Sequence, residues 1–209
     1  IQTDIDIFDS HKRKNIICVT GSNGKTSVTL ILEHMLKFLG KKVRAGGNVG
    51  TPVLDLLYHD YEYHVLELSS FQLEMTRKIQ CDVSLITNIT PDHLDRHKNF
   101  ENYKKIKHKI FLNSKSIVIN RTDENINLKD ASLDYSFGCD TAPNKSSFGV
   151  VKQDGIDYIV KGTEKILSEN QIKLIGRHNL ENICASLSVI NLLNLDLEKA
   201  VNGIKDFES

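Results

Sequence analysis

Asn15-Ile16-Ile17-Cys18-Val19-Thr20-Gly21-Ser22-Asn23-Gly24-Lys25-Thr26-Ser27 is the stretch on which the fold of this chain turns. Its first six residues are a short, mostly β-branched apolar run closed by a glycine, the pattern of a buried strand. After the loop, apolar residues at Val28, Leu30, Ile31, Leu32, Met35, Leu36 and Leu39 follow a helical period, and Gly40 supplies a stop. Strand, glycine loop and helix in that order suit the capture of an anion. Glycines let successive N–H groups turn inward, and the helix N-terminus adds roughly half a positive charge. Lys25 brings a full charge toward outer phosphates, and the Thr26 hydroxyl suits Mg²⁺.

Outward from this unit the pattern repeats. Lys42-Val43-Arg44-Ala45 reads as a strand, followed by a Gly46-Gly47-Asn48-Val49-Gly50 loop and by Pro52 where a helical turn could begin. Buried strands are expected at 63–68, 82–88 and 115–120, with helical spacing over 100–111. Continuous apolar strands alternating with helices predict an α/β fold: a mainly parallel sheet flanked by helices, P-loop NTPase-like. From about 133 to 174 the segments become short and alternating, and Asp154-Gly155 between two of them is a hairpin signal. A small antiparallel sheet on one flank is therefore expected. Helices close the chain at about 178–193 and 197–206.

The composition excludes several classes of partner. Lys plus Arg equals Asp plus Glu at 27 each in 209 residues, so bulk charge favours neither nucleic acid nor an anionic membrane. No apolar run approaches the roughly 20 residues of a spanning helix, and the first residues lack a secretory pattern. Four scattered cysteines without a CxxC pair suit reduced thiols. A monomer in the cytoplasm is expected. The chain starts without Met and stops without a tail, which suggests a piece of something longer.

Beyond the phosphate loop, individual residues say less. The Gly24-Lys25-Thr26 core matches Walker A, but Val19 stands where that pattern has its first Gly. Glu67 falls at the carboxyl end of a strand, the edge where ligands bind in open α/β sheets. By position alone it reads as a solvent-exposed carboxylate. His93 follows the next strand; two adjacent strands bringing Glu67 and His93 to the loop's edge would form a divalent-metal site. Lys107 reads as one of several solvated helix lysines, and Asn179 and Asn182 as polar residues on the first turn of a late helix.

These residues carry a family resemblance. Thr20 to Ser27 (TGSNGKTS) resembles the phosphate loop of Mur ligases and of the related folylpolyglutamate synthases, which departs from Walker A in the same way. NITPDHLDRH at 88–97, FENYKKIKHKIF at 100–111 and GRHNLEN at 176–182 are similar to further family blocks. ELSSFQLE at 67–74 is similar to the branch that adds D-glutamate to UDP-N-acetylmuramoyl-L-alanine. Together the blocks span most of the chain.

The resemblance implies an ATP-dependent amide ligase of bacterial peptidoglycan precursor synthesis, working through an acyl phosphate. It implies that Gly21, Ser22, Asn23, Gly24, Lys25, Thr26 and Ser27 hold the nucleotide phosphates, with Asn179 and Asn182 near the adenine. Thr26 and Glu67 would hold one Mg²⁺. His93 and a CO₂-carbamylated Lys107 would hold a second. Asn48, Ser69 and His93 match positions facing the muramoyl substrate. Residues 1–209 would be the central domain, its N-terminal UDP-binding and C-terminal amino-acid-binding partners lying outside the chain. Two other readings remain: a different Mur or folylpolyglutamate-type ligase, against which ELSSFQLE speaks, and a non-catalytic nucleotide-binding module, against which the intact Lys25, Thr26, Glu67, His93 and Lys107 speak.

Overall fold

A computed structural model describes residues 2–11, 13–126 and 135–208. The chain runs α1 (Asp4–Ser10), β1 (Ile16–Thr20), α2 (Lys25–Phe38), β2 (Val43–Gly47), a 3₁₀ segment (Val53–Tyr58), β3 (Tyr63–Glu67), α3 (Ser70–Met75) and β4 (Cys81–Ile86). It continues with α4 (Leu94–His97), α5 (Phe100–His108), β5 (Ser114–Asn120), β6 (Ser136–Phe137), β7 (Phe148–Gln153), β8 (Ile156–Lys161), β9 (Glu164–Ser168), α6 (Arg177–Leu192) and α7 (Leu197–Ile204).

Among the described residues the main sheet has the order β2-β3-β1-β4-β5-β6, and every pair in it is parallel. All its carboxyl ends therefore meet one edge. β1 lies between β3 and β4, so the chain builds out to one side of β1 and then to the other. That reversal opens a crevice at the loop following β1, where open α/β sheets place their ligands. It also corrects one expectation: the strands that deliver Glu67 and His93 are not adjacent, because β1 and its loop stand between them.

Side-chain alternation along the strands feeds two cores. Ile17, Val19, Val65, Val83 and Leu85 face one apolar cluster with α2, α6 and α7, while Ile16, Cys18, Leu66 and Ile86 face another with α1 and Tyr103 of α5. On α2 the buried Val28, Ile31, Leu32, Met35 and Leu36 form the apolar stripe that the sequence spacing predicts. Each such fully buried aliphatic side chain contributes roughly 2 kcal/mol. The helix ends as expected at Gly40, whose φ of +79° follows two closing bonds, Gly40 N–H to Lys37 O and Lys41 N–H to Leu36 O.

The flanking antiparallel sheet is present as β7-β8-β9. Asp154 and Gly155 turn the β7–β8 hairpin with φ of +51° and +83°, as a tight two-residue turn demands. Two adjustments follow. β6, inside the stretch assigned to that flank, instead extends the main sheet beside β5. The first residues of that stretch, 133 and 134, lie outside the described residues. α1 and α3, of 7 and 6 residues, are too short for a periodic pattern to develop in the sequence. Each is held by a capping box, Thr3 with Asp6 and Ser69 with Gln72.

Candidate active site

The phosphate loop takes its shape from distant partners. Gly21 and Gly24 have φ of +152° and +80°. A Cβ on Gly21 would collide with the Thr87 side chain, and one on Gly24 would stand 2.5 Å from Asn182 Oδ1. Ser22 N–H donates to Asn88 O at 2.8 Å, and Asn23 N–H to Asn88 Oδ1 at 2.9 Å. Asn88 Nδ2 and Thr87 Oγ1 return bonds to Asn23 O at 3.0 and 2.6 Å. α2 starts at Gly24 with no side-chain cap, so first-turn N–H groups that a Ser or Asp would engage elsewhere remain available to an anion.

Beside the loop, Glu67 at the end of β3 is 1% exposed. Its carboxylate accepts Thr26 Oγ1–H at 2.9 Å and Asn48 Nδ2–H at 2.8 Å. The expectation of a solvated strand-end carboxylate is thus corrected: parallel pairing with β1 and β2 on either side pulls it into a polar niche. Gly47 makes this possible, since a Cβ there would strike the Glu67 carbonyl.

Lys107 departs furthest from its sequence reading. The helix face it occupies turns inward, and the residue is 1% exposed. Its Nζ donates to Gly21 O at 2.7 Å and lies 3.4 Å from Thr20 Oγ1. Burial, reinforced by the charge of Lys25, pulls its pKa down to about 7. An ordinary-looking lysine is therefore an amine that is largely neutral just above neutral pH.

Lys25, Asn48, Ser69, His93 and Lys107 line one cleft of about 130 Å³, together with Ser70, Phe71, Asp92 and Tyr103. Lys25 Nζ rests on Ser22 O at 2.9 Å. His93 has a left-handed backbone, φ +50°, its Nε2 3.4 Å from Asp92 Oδ2 and its ring 5.0 Å from that of Phe71. Ser69 lines the cleft while capping α3, its Oγ accepting Gln72 N–H. Asn182 sits on the second turn of α6 rather than the first, against Gly24. Asn179 precedes it by three residues, bonded to Ile175 O, its Oδ1 3.5 Å from Asn182 Nδ2.

Several contributors were not anticipated. Thr87, Asn88 and Thr90 brace the loop from the turn after β4, and Tyr103 lines the cleft with His97 packed against its ring. For Tyr103 a signal existed: it stands four residues before Lys107 and so shares its helix face. Asn88 and Thr90 fall in the NITPDHLDRH block, while Thr87 carries no pattern of its own.

An uncapped helix start, a glycine loop over a parallel sheet, and a buried carboxylate bonded to the loop's threonine together define an α/β domain of the phosphate-binding-loop class. The chain belongs to the Mur ligase family, the model of whose middle domain matches residues 19–190. It is 35% identical over 209 residues to the UDP-N-acetylmuramoylalanine–D-glutamate ligase of Pseudomonas aeruginosa, covering 99% of this chain and 46% of that protein. The enzyme of the same name from Psychrobacter arcticus is 39% identical over 211 residues, with 99% and 44% covered. The chain thus spans about half the length of the curated relatives it matches. Among solved structures, a MurF ligase from Thermotoga maritima in complex with ADP superposes with a TM-score of 0.75 at 21% identity, covering 100% of this chain and 53% of that one. A UDP-N-acetylmuramoyl-L-alanyl-D-glutamate–2,6-diaminopimelate ligase also gives 0.75, at 22% identity, with 93% and 46% covered. These two likenesses establish the fold.

Proposed function

We propose that this chain is the ATP-binding central domain of a UDP-N-acetylmuramoyl-L-alanine–D-glutamate ligase, whose flanking domains grip the UDP and the amino acid. The observation that carries the reading is the convergence of Lys25, Asn48, His93 and Lys107 on one cleft, beside the Thr26–Glu67 bond. ELSSFQLE at 67–74 and relatives named for D-glutamate addition support the choice of substrate.

In this reading the acceptor carboxylate attacks the γ-phosphorus of ATP and ADP departs. The amine of D-glutamate then attacks the acyl phosphate, loses a proton and expels phosphate, leaving an amide. The chain contributes placement and charge, the main terms in phosphoryl transfer. Loop N–H groups and Lys25 take the phosphates. Asn48 orients Glu67, and Asn179 and Asn182 border the base. Asn48, Ser69 and His93 face the acceptor.

The residues present fit Mg²⁺. Thr26 Oγ1 and a Glu67 oxygen already lie 2.9 Å apart. Among the described residues no three His, Cys, Asp or Glu side chains cluster as a metal site. Mg²⁺ is commonly held by one or two carboxylates plus substrate phosphates, so a sparse protein donor set suffices. Thr26 and Glu67 would hold one ion, His93 and a carbamylated Lys107 a second. When bound, Mg²⁺ neutralises charge on the phosphates and the acceptor. A Lys107 amine with a pKa near 7 has the free lone pair needed to take up CO₂ as a carbamate, with loss of one proton.

The test is ligation by the full-length protein, offered ATP, the muramoyl acceptor and either D-glutamate, diaminopimelate or lysine. Product with D-glutamate alone, lost in Glu67→Ala and Lys107→Ala, is expected. Product with another amine, or undiminished activity in both variants, would overturn the proposal. The 209-residue chain by itself is expected to bind ADP and to form no product.

A further inference from the structure

α5 grips the phosphate loop at two consecutive residues. Lys107 donates to Gly21 O at 2.7 Å, and one turn earlier Tyr103 Oη stands 3.0 Å from Ser22 Oγ. Residues four apart on a helix share a face, so both grips come from the same side of α5.

Proton accounting fixes the direction of the second bond. Ser22 Oγ is 3.0 Å from Thr90 O and also accepts Thr90 N–H at 3.0 Å. A carbonyl can only accept, so the single serine proton goes to Thr90 O. Both serine lone pairs are then filled, one by Thr90 N–H and the other by the Tyr103 hydroxyl. Tyr103 must be the donor. The whole arrangement is out of water: Tyr103 is 1% exposed and Ser22 8%. The tyrosine ring is also held in place. Lys107 Nζ lies 4.9 Å from its centroid, and the His97 ring packs against it at 5.5 Å. His97 in turn is fixed by a 3.0 Å contact with Ser70 Oγ at the start of α3.

We infer that Tyr103 is a positioning residue whose hydroxyl seats the phosphate loop on α5 whatever the chemical state of Lys107. The inference rests on the nucleotide-binding reading above and extends it to a residue that touches no reacting atom. If Lys107 takes up CO₂, its nitrogen keeps one hydrogen and the neutral amine becomes an anion. The N–H groups available to Gly21 O fall to one, and a negative group now stands near the electron-rich face of the tyrosine ring. The Tyr103–Ser22 bond joins two neutral groups and is indifferent to that change. It is the constant half of the grip.

The experiment compares the unsubstituted chain with Tyr103→Phe, Ser22→Ala and the double variant, with Ile110→Val as a control that loosens the same core without touching the loop. Amide hydrogen exchange is followed in peptides covering 19–24, and Mg-ADP binding by calorimetry. Tyr103→Phe is expected to speed loop exchange and weaken Mg-ADP binding about fivefold each, while Ile110→Val does neither. On the Ser22→Ala background the tyrosine change is expected to add nothing. Unchanged loop exchange in Tyr103→Phe, or effects that add in the double variant, would overturn the inference. Should the unsubstituted chain fail to bind Mg-ADP, the nucleotide reading falls while the exchange comparison still decides the role of Tyr103.

Discussion

Replacing Lys107 by methionine is expected to flatten the dependence of stability on alkaline pH. Burial brings the lysine from its ordinary 10.5 down to about 7. Between those values the unfolded chain binds a proton that the folded chain does not, so stability rises with pH across that window. Near pH 8 the folded amine is about nine-tenths neutral and the unfolded one fully charged, giving a slope of about 1.2 kcal/mol per pH unit. Below pH 7 both forms are charged and the full penalty stands, on the order of 5 kcal/mol. Methionine keeps the apolar stem and does not titrate. It leaves the Gly21 carbonyl without its donor, a cost of roughly 1–3 kcal/mol that is independent of pH. Urea unfolding of both proteins at pH 7, 8 and 9, in CO₂-free buffer, isolates the term as the difference between them. The parent is expected to gain about 2 kcal/mol on the variant from pH 7 to 9. Parallel lines would show that Lys107 is solvated, and the argument for its reactivity would collapse with them.

Three further outcomes follow from the geometry. Gly24→Ala puts a methyl 2.5 Å from Asn182 Oδ1 at a φ of +80°, and is expected to weaken ADP binding about tenfold and cost roughly 1–3 kcal/mol in denaturant melts; adding Asn182→Ala recovers part of the loss, and no recovery would refute the contact. Glu67→Gln turns one acceptor oxygen into an amide that meets a donor, Thr26 or Asn48. Stability should fall by about 1–3 kcal/mol, and the Mg²⁺-dependent part of ADP binding should disappear, while unaltered Mg²⁺ dependence would remove Glu67 from the metal. His64 is 1% exposed, its ring packed edge-on against Phe8 and Tyr61. Burial lowers its pKa, as it does for His97 and His108. The unfolded chain therefore binds the extra protons, and stability falls as pH drops below about 6.5. His64→Leu should make that acid loss shallower in melts at pH 5 and 7, and an unchanged slope would argue against the burial effect.

The sequence carried the sheet and the loop well because each has a periodic or positional signature. β1, the α2 stripe, the Gly40 stop and the Asp154-Gly155 turn all express local rules. What it could not carry depends on which face of an element turns inward. Lys107 is one lysine among Lys104, Lys105 and Lys109, and only the docking of α5 against the loop distinguishes it. Glu67 looked exposed because strand ends usually are, and its neighbours across β1 and β2 come from elsewhere in the chain. The order of strands was likewise hidden. Reading β3 and β4 as neighbours follows naturally from chain order, and the insertion of β1 between them is a tertiary fact. Family likeness, not physics, singled out Lys107 and the two asparagines beforehand.

Ser22, Asn23 and Gly24 are three consecutive residues answerable to three remote parts of the chain: Tyr103 on α5, Asn88 after β4, and Asn182 on α6. Each contact closes a long loop, a slow event entropically, and none can substitute for another. The loop therefore acquires its final shape only once α6 has docked against it. A fragment ending after β5 would hold secondary structure and two of these ties, yet lack the wall that Asn182 gives Gly24. Competence to seat a nucleotide thus serves as a built-in inspection of this fold, absent until α6 docks and early to vanish when α6 detaches.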